Sequence, residues 1–191
     1  MKIGMILDAI YPSDARVTNE CEELIKNGHE VYLFCLSYQK NYIKSEIIND
    51  IKVRRYYCSS LTYKLSALAN DFPLYSILMK SKIKDFVLNN KIDRMHIHDI
   101  QIAKAAVGVC NKYKLKYTLD LHENRHEIMK SYKHVNSFLG KLLISIKRWK
   151  KAEEEYISKA EKVIVVTHQA KKEIIKRCKI SNDNVIVYPN T

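Results

Sequence analysis

Glycine and proline are scarce in this chain of 191 residues, four and three respectively, and they form no Pro/Gly-rich linker at which the chain would divide. There is no internal repeat and no low-complexity tract, so one large domain is expected. A disulfide framework is excluded too. Cys21, Cys35, Cys58, Cys110 and Cys178 are odd in number, scattered and without a Cys-x-x-Cys pair, the usage of buried reduced thiols in a cytoplasmic protein. The opening MKIGMILDAI offers one basic residue, a short apolar run and an acid, too little for a secretion signal. No later apolar run approaches the ~20 residues of a membrane span. The expectation is a cytoplasmic protein that is soluble or lies on the inner face of the membrane. Acidic residues are also in deficit: 33 Lys and Arg face 21 Asp and Glu, a formal charge of +12. That excess attracts phosphates of nucleic acids, nucleotide sugars or an anionic bilayer. A nucleic-acid module is disfavoured, because no reader motif is present and the tyrosines are scattered rather than set out as a stacking platform.

Short β-branched runs alternate with longer helical patterns. Strands are predicted at 2–8, 30–36, 51–56, 93–98, 116–121, 162–167 and 184–189, with helices in most of the gaps. Near-continuous apolar strands separated by helices indicate a parallel sheet covered on both faces. The predicted fold class is therefore α/β, a Rossmann-like, doubly wound, mainly parallel sheet of about seven strands. The first helix opens with Pro12, Ser13 and Asp14, carries Cys21, Leu24 and Ile25 on one face, and stops at Gly28, a residue that tolerates positive φ. Arg16 lies in its first turn, where a cation works against the helix dipole, and either pairs with Glu20 four residues on or meets another partner.

In such folds ligands bind beyond the carboxyl ends of the strands, near the point where strand order reverses. That rule selects Asp8 to Arg16, His98 and Asp99, His122 to Asn124, and Thr167 with His168. His96 falls mid-strand and reads as a satisfied core residue, and His29, directly after Gly28, as a turn residue. His96, His98, Asp99 and His122 have ligand chemistry suited to zinc, but the remaining His126, His134 and His168 lack a convincing spacing, and no metal or other cofactor is expected.

Several segments taken in order, SDARVTNECEELIKNGHEVYLF, HIHDIQIAKAA, YTLDLHEN, AEKVIVVTHQAKKEI and the closing VIVYPN, resemble the N-terminal half of glycosyltransferase family 4, retaining nucleotide-sugar-dependent enzymes of GT-B fold. The resemblance spans nearly the whole chain. It implies that residues 1–191 are the N-terminal, acceptor-binding Rossmann-like domain of a hexosyltransferase, with the C-terminal nucleotide-sugar domain absent from this sequence and the fragment alone inactive. It further implies transfer of a sugar to a glycan or lipid-linked acceptor, in bacterial surface polysaccharide synthesis. His122 matches the histidine that supports charge at the reacting centre and is the candidate catalytic residue. Asp14, Arg16, His98, Asp99, Glu123, Asn124 and Thr167 would line the cleft, with Arg16 and the free N–H groups of the first helix forming an anion-binding corner. The loop DAIYPSDAR lacks the paired glycines that some family members place near the donor phosphates. The rival reading is a non-catalytic phosphate- or membrane-binding scaffold built on a lone domain.

The segment at 137–156 repeats Phe138, Leu139, Leu142, Leu143, Ile146 and Trp149 at helical spacing, with Lys141, Lys147, Arg148, Lys150 and Lys151 around them. This predicts one amphipathic helix, packed into the core or lying on anionic lipid with Trp149 in the interface.

Overall fold

The computed structural model describes residues 1–189, without the side chains of His134, Leu139 and Lys141. Eight strands form one sheet: β1 (Lys2–Ile6), β2 (Glu30–Ser37), β3 (Ser45–Ile48), β4 (Ile51–Tyr57), β5 (Arg94–His98), β6 (Lys116–Leu121), β7 (Lys162–Val165) and β8 (Val185–Val187). Their order is β3-β4-β2-β1-β5-β6-β7-β8, and the pairings are parallel except that of β3 with β4. The seven predicted strands are all present. The eighth, β3, pairs Ile48 with Ile51 across Asn49 and Asp50, both at positive φ. Asn and Asp tolerate this conformation, and a two-residue turn of that hand matches strand twist. The signal was the dipeptide between two isoleucines, hidden because β3 is an edge strand with exposed alternate positions.

The helices are α1 (Ala15–Lys26), α2 (Ser60–Lys64), α3 (Leu74–Asn90), α4 (Ile100–Tyr113), α5 (Arg125–Ile128), α6 (Lys133–Asn136), α7 (Phe138–Leu143), α8 (Ile146–Lys159) and α9 (His168–Cys178). Helix α1 begins as its sequence requires: the Asp14 carboxylate accepts from Val17 N–H at 3.2 Å. It ends in a Schellman turn, with Gly28 N–H donating to the Ile25 carbonyl and His29 N–H to that of Leu24, and Gly28 takes φ +79°. Val17 and Cys21 of α1 pack with Met5, Leu7 and Leu33 on one face of the sheet. The larger core, on the other face, combines Met79 and Phe86 of α3, Ala103 and Ala106 of α4, Trp149 of α8 and Ile174 of α9. Four of the five cysteines are buried, and all five are free; burial pushes the Cys35 and Cys110 thiols up to about 12.

The predicted helix over 137–156 is two helices. Ile144 and Ser145 are extended, the Ser145 hydroxyl accepts from Arg148 N–H to open α8, and Ser145 N–H donates to Asp71 Oδ1 at 3.0 Å. This break rotates α8 so that Trp149 is only 2% exposed, its indole N–H donating to Asp71 Oδ2 at 3.0 Å. Trp149 is therefore a core anchor rather than a surface residue, because its one polar atom is satisfied inside. Lys147, Arg148, Lys150 and Lys151 are exposed as predicted; the Lys141 side chain lies outside the described residues.

Gly4 in β1 is closely approached by α3 and the segment after it: a Cβ there would lie 2.9 Å from Ile92 Cγ2 and 3.0 Å from Phe86 Cε1. Gly4→Ala should cost about 1–3 kcal/mol through overpacking, read as a lower urea midpoint. An unchanged midpoint would show that α3 moves aside freely.

Candidate functional site

Strand β1 lies between β2 and β5, so the strand order reverses there, and a crevice at the carboxyl ends of β1, β5 and β6 follows from the topology. A carboxylate buried in β6 occupies its floor. Asp120 is fully buried, and the ion must be compensated on every side. Arg16 of α1 does so bidentately, Nη2 donating to Oδ1 at 2.7 Å and Nε to Oδ2 at 3.1 Å. His122 Nε2 lies 2.9 Å and His98 Nδ1 3.2 Å from Oδ2. Although burial opposes ionisation, hydrogen bonds from His122, His98 and Arg16 hold this carboxyl far below the usual carboxylate range.

Arg16 is thus 6% exposed and its charge is spent inside. Beyond Asp120 it reaches Glu20 at 3.3 Å, donates from Nη1 to the Tyr188 carbonyl at 2.5 Å, and lies 4.8 Å from the Tyr188 ring centroid. The predicted anion-binding corner is corrected accordingly: the arginine spans α1, β6 and the segment after β8 and is not presented to a ligand. His98 is corrected likewise. It has no exposed surface, stacks on His96 with ring centroids 4.6 Å apart, and positions His122 from beneath, Nδ1 to Nε2 at 3.2 Å. His96 is in the core, as predicted, but its Nε2 has no hydrogen-bond partner among the described residues. Its Nε2 lies 3.3 Å from Glu20 Oε2 without hydrogen-bond alignment, and burial beside His98 depresses its pKa to about 3.

His122 is a cation at the rim. Burial lowers its pKa, but the bond to Asp120 and the field of Asp99 outweigh that and raise it to about 9. Its second nitrogen, Nδ1, is 3.9 Å from Asp14 Oδ2 and 3.9 Å from Asp99 Oδ2, a separation that an inserted hydroxyl can bridge, accepting from the imidazolium and donating to a carboxylate. Asp99 takes φ +65°, a strained conformation for a non-glycine residue of the kind that concentrates at functional sites, and its N–H is fixed to the Asp120 carbonyl at 2.9 Å. Asp8 stands behind it, with burial and Asp99 raising its carboxyl to about 7. Burial raises the Asp99 carboxyl as well, and the field of Arg125 offsets part of the rise in both acids.

The other predicted residues are more peripheral. Glu123 pairs with Arg125 at 3.7 Å and, with Asn124, borders a small cavity of about 30 Å³ against α9. Thr167 is at the end of β7, but its hydroxyl caps α9 by accepting from Ala170 N–H at 3.0 Å. Asp120 and Arg125 were not selected by sequence, and Asp8 was selected only as the start of the first loop. Asp120 was nevertheless legible as a charge at a buried position of an apolar strand, KYTLDL. Glu20, His96, His98 and Asp120 also bring ligand-type atoms within 4.8 Å of one another. A cation entering there would compete with the Arg16 guanidinium, which already contacts both carboxylates.

These charges set a pH dependence. His122 titrates at about 9 in the folded chain and near ~6.5 unfolded, so its contribution is complete below about pH 6.5 and is lost as pH rises through 9. Asp8, raised to about 7, loses its contribution over a lower range with the same sign. The thermal midpoint should fall from about pH 6.5 to 9 and His122→Gln should flatten that slope; an equally steep decline in the variant would contradict the assignment. Asp120→Asn should lower the His122 pKa, followed by NMR, and destabilise the fold by about 3 kcal/mol because Arg16 loses its principal counter-ion.

The profile of Glycosyltransferase Family 4 matches residues 15–191, and no curated protein sequence matches the chain. Among solved structures, sucrose-phosphate synthase from Thermosynechococcus elongatus superposes with a TM-score of 0.72 at 13% identity, covering 99% of this chain and 48% of that one. A trehalose-6-phosphate structure from E. coli bound with UDP-2-fluoro glucose gives 0.59 at 12% identity, covering 93% and 42%. UDP-GlcNAc 2-epimerase from Methanocaldococcus jannaschii gives 0.57 at 12% identity, covering 98% and 45%. The chain thus spans about half the length of these proteins and shares the Rossmann-like α/β fold of GT-B glycosyltransferases. With the profile matched over nearly its full length, this chain belongs to glycosyltransferase family 4.

Proposed function

We propose that this domain is the N-terminal, acceptor-side half of a nucleotide-sugar-dependent glycosyltransferase, in which His122 is the catalytic residue at a cleft completed by a second domain. The observation that carries the reading is the position of His122: an imidazolium held by Asp120, with Nδ1 in a gap bounded by Asp14 and Asp99. A positive hydrogen-bond donor fixed at a partly desolvated rim stabilises oxygen charge that develops as a sugar–phosphate bond breaks. Asp14 and Asp99 accept hydrogen bonds from sugar hydroxyls across the same gap. The net acidity of that gap, two carboxylates around one imidazolium, favours a neutral polyol there over a second phosphate.

In this reading the transfer proceeds with retention, the leaving phosphate takes the acceptor proton, and His122 remains a charge-stabilising donor rather than a general base. The acceptor is a glycan or a lipid-linked sugar of a bacterial surface polysaccharide. Donor contacts come mainly from the second domain, which accounts for Arg16 serving the floor instead of a ligand. The fold is shared with the epimerase named above, so the assay must separate the two chemistries.

In the two-domain enzyme, His122→Asn should reduce kcat by roughly 10²-fold or more with a smaller change in KM, the signature of a transition-state contact, while the thermal midpoint falls most below about pH 6.5, where the pair with Asp120 is complete, and least above pH 9. Asp99→Asn should act mainly on acceptor KM. Sugar transfer to an acceptor, followed by mass spectrometry of the product, distinguishes transferase from epimerase. Wild-type turnover in His122→Asn would remove the proposed role.

A further inference from the structure

The break at Ser145 that turns Trp149 inward leaves apolar side chains of the preceding segment outside. Phe138 is 86% and Leu142 70% exposed on α7, while Phe72, Leu74 and Ile77 are 45%, 52% and 61% exposed at the start of α3. The two helices meet at Leu143 of α7, which lines one groove of about 310 Å³ together with Phe72, Pro73 and Leu74. Ile77 follows Leu74 by three residues, and Leu142 follows Phe138 by four, so each pair shares a helix face. A helix in water normally turns a polar side outward, yet α3 directs Leu74, Ile77 and Leu78 there. A single exposed leucine needs no explanation; a connected group from two helices marks an interaction surface.

Its border is basic. On one side Ile77 shares a groove with Lys80, Lys84 and Lys112. On the other, Lys147 and Arg148 begin α8, which is moored beside Phe72 by the Ser145 and Arg148 contacts to Asp71. Asp71 pairs with Arg148 at 3.1 Å and offsets its charge, so on this side the border rests on Lys147.

We propose that this face, made of the start of α3 and the helix α7, seats the domain on an anionic lipid bilayer. The apolar side chains enter the boundary of headgroups and acyl chains, and the lysines meet lipid phosphates around them. A second copy of the chain fits less well, because a two-fold interface sets the patch against itself and brings its lysines together. None of the helices among the described residues is long and apolar enough to cross the membrane, so the contact is peripheral. It is independent of the catalytic reading, since none of these residues lies in the cleft.

The chain should co-sediment with vesicles of phosphatidylcholine containing about 30% phosphatidylglycerol and not with phosphatidylcholine alone, and raising the salt should release it. Phe72→Ser with Leu142→Ser, and separately Lys80→Glu with Lys84→Glu, should each weaken partitioning by roughly tenfold or more with unchanged circular dichroism and thermal midpoint. Trp149, being internal, should keep its emission wavelength on binding, whereas Phe138→Trp in a Trp149→Phe background should shift to the blue. Wild-type protein left in the supernatant, or both double variants binding as wild type does, overturns the proposal. So does a wild-type dimer in equilibrium sedimentation that Phe72→Ser with Leu142→Ser dissociates, since the face would then belong to a second copy.

Discussion

A carboxylate with no exposure to water must be neutralised by groups that the fold brings to it, and Asp120 draws those groups from several elements. Arg16 comes from α1, His98 from β5 and His122 from the end of β6 itself. Arg16 in turn reaches the Tyr188 carbonyl beyond β8. One ion pair therefore ties the first helix to the middle of the sheet and to its last strand. Removal of either partner leaves the other buried and uncompensated, which is costlier than the pair is favourable. The position of a cation in the first turn of α1, unfavourable to the helix dipole, has its reason here: local cost is outweighed by a buried counter-ion 104 residues away.

The same carboxylate fixes the charge state of the rim. Asp120 holds the proton on His122, so the histidine presents a cation at neutral pH, while burial drives protons onto nearby acids that have no such donor. Asp8 rises to about 7 because its surroundings exclude water and Asp99 is close; Glu20 rises for burial and for the neighbouring Asp120. Carboxyls within one crevice thus divide between ionised and protonated forms according to hydrogen bonds, not sequence. His98, stacked on His96, sets the height of His122 without reaching solvent.

The excess of positive charge does not converge on the crevice. Arg16 is neutralised within the floor, and Arg177 is bound by Glu153, Glu154 and Glu173 on the helices α8 and α9. Exposed lysines of α3, α4 and α8 carry the field outward, where they border the apolar group around Phe72 and Leu142. Net charge by itself indicated phosphate as a partner; its placement separates the interior pairs that hold the fold from the surface cations open to a partner.

The sequence by itself determined the parallel α/β sheet, because period-2 and period-3.6 patterns are local, and it determined the stop at Gly28, because a left-handed residue is a local requirement. It also selected His122, Asp99 and Asp14 as rim residues, since strand ends are readable and the topology rule does the rest. Tertiary structure decided the roles of Arg16 and His98, which sequence placed on the ligand: whether a polar side chain faces a cleft or a buried counter-ion depends on a partner such as Asp120, distant in the chain. It likewise decided Trp149. The spacing from Phe138 to Trp149 is helical throughout, but Asp71, remote in sequence, accepts from Ser145 and from the indole, and that pair of bonds favours an interrupted helix. Where the competing interactions lie within a few residues, the pattern specifies the outcome; where a buried charge must find its partner, only the assembled fold does.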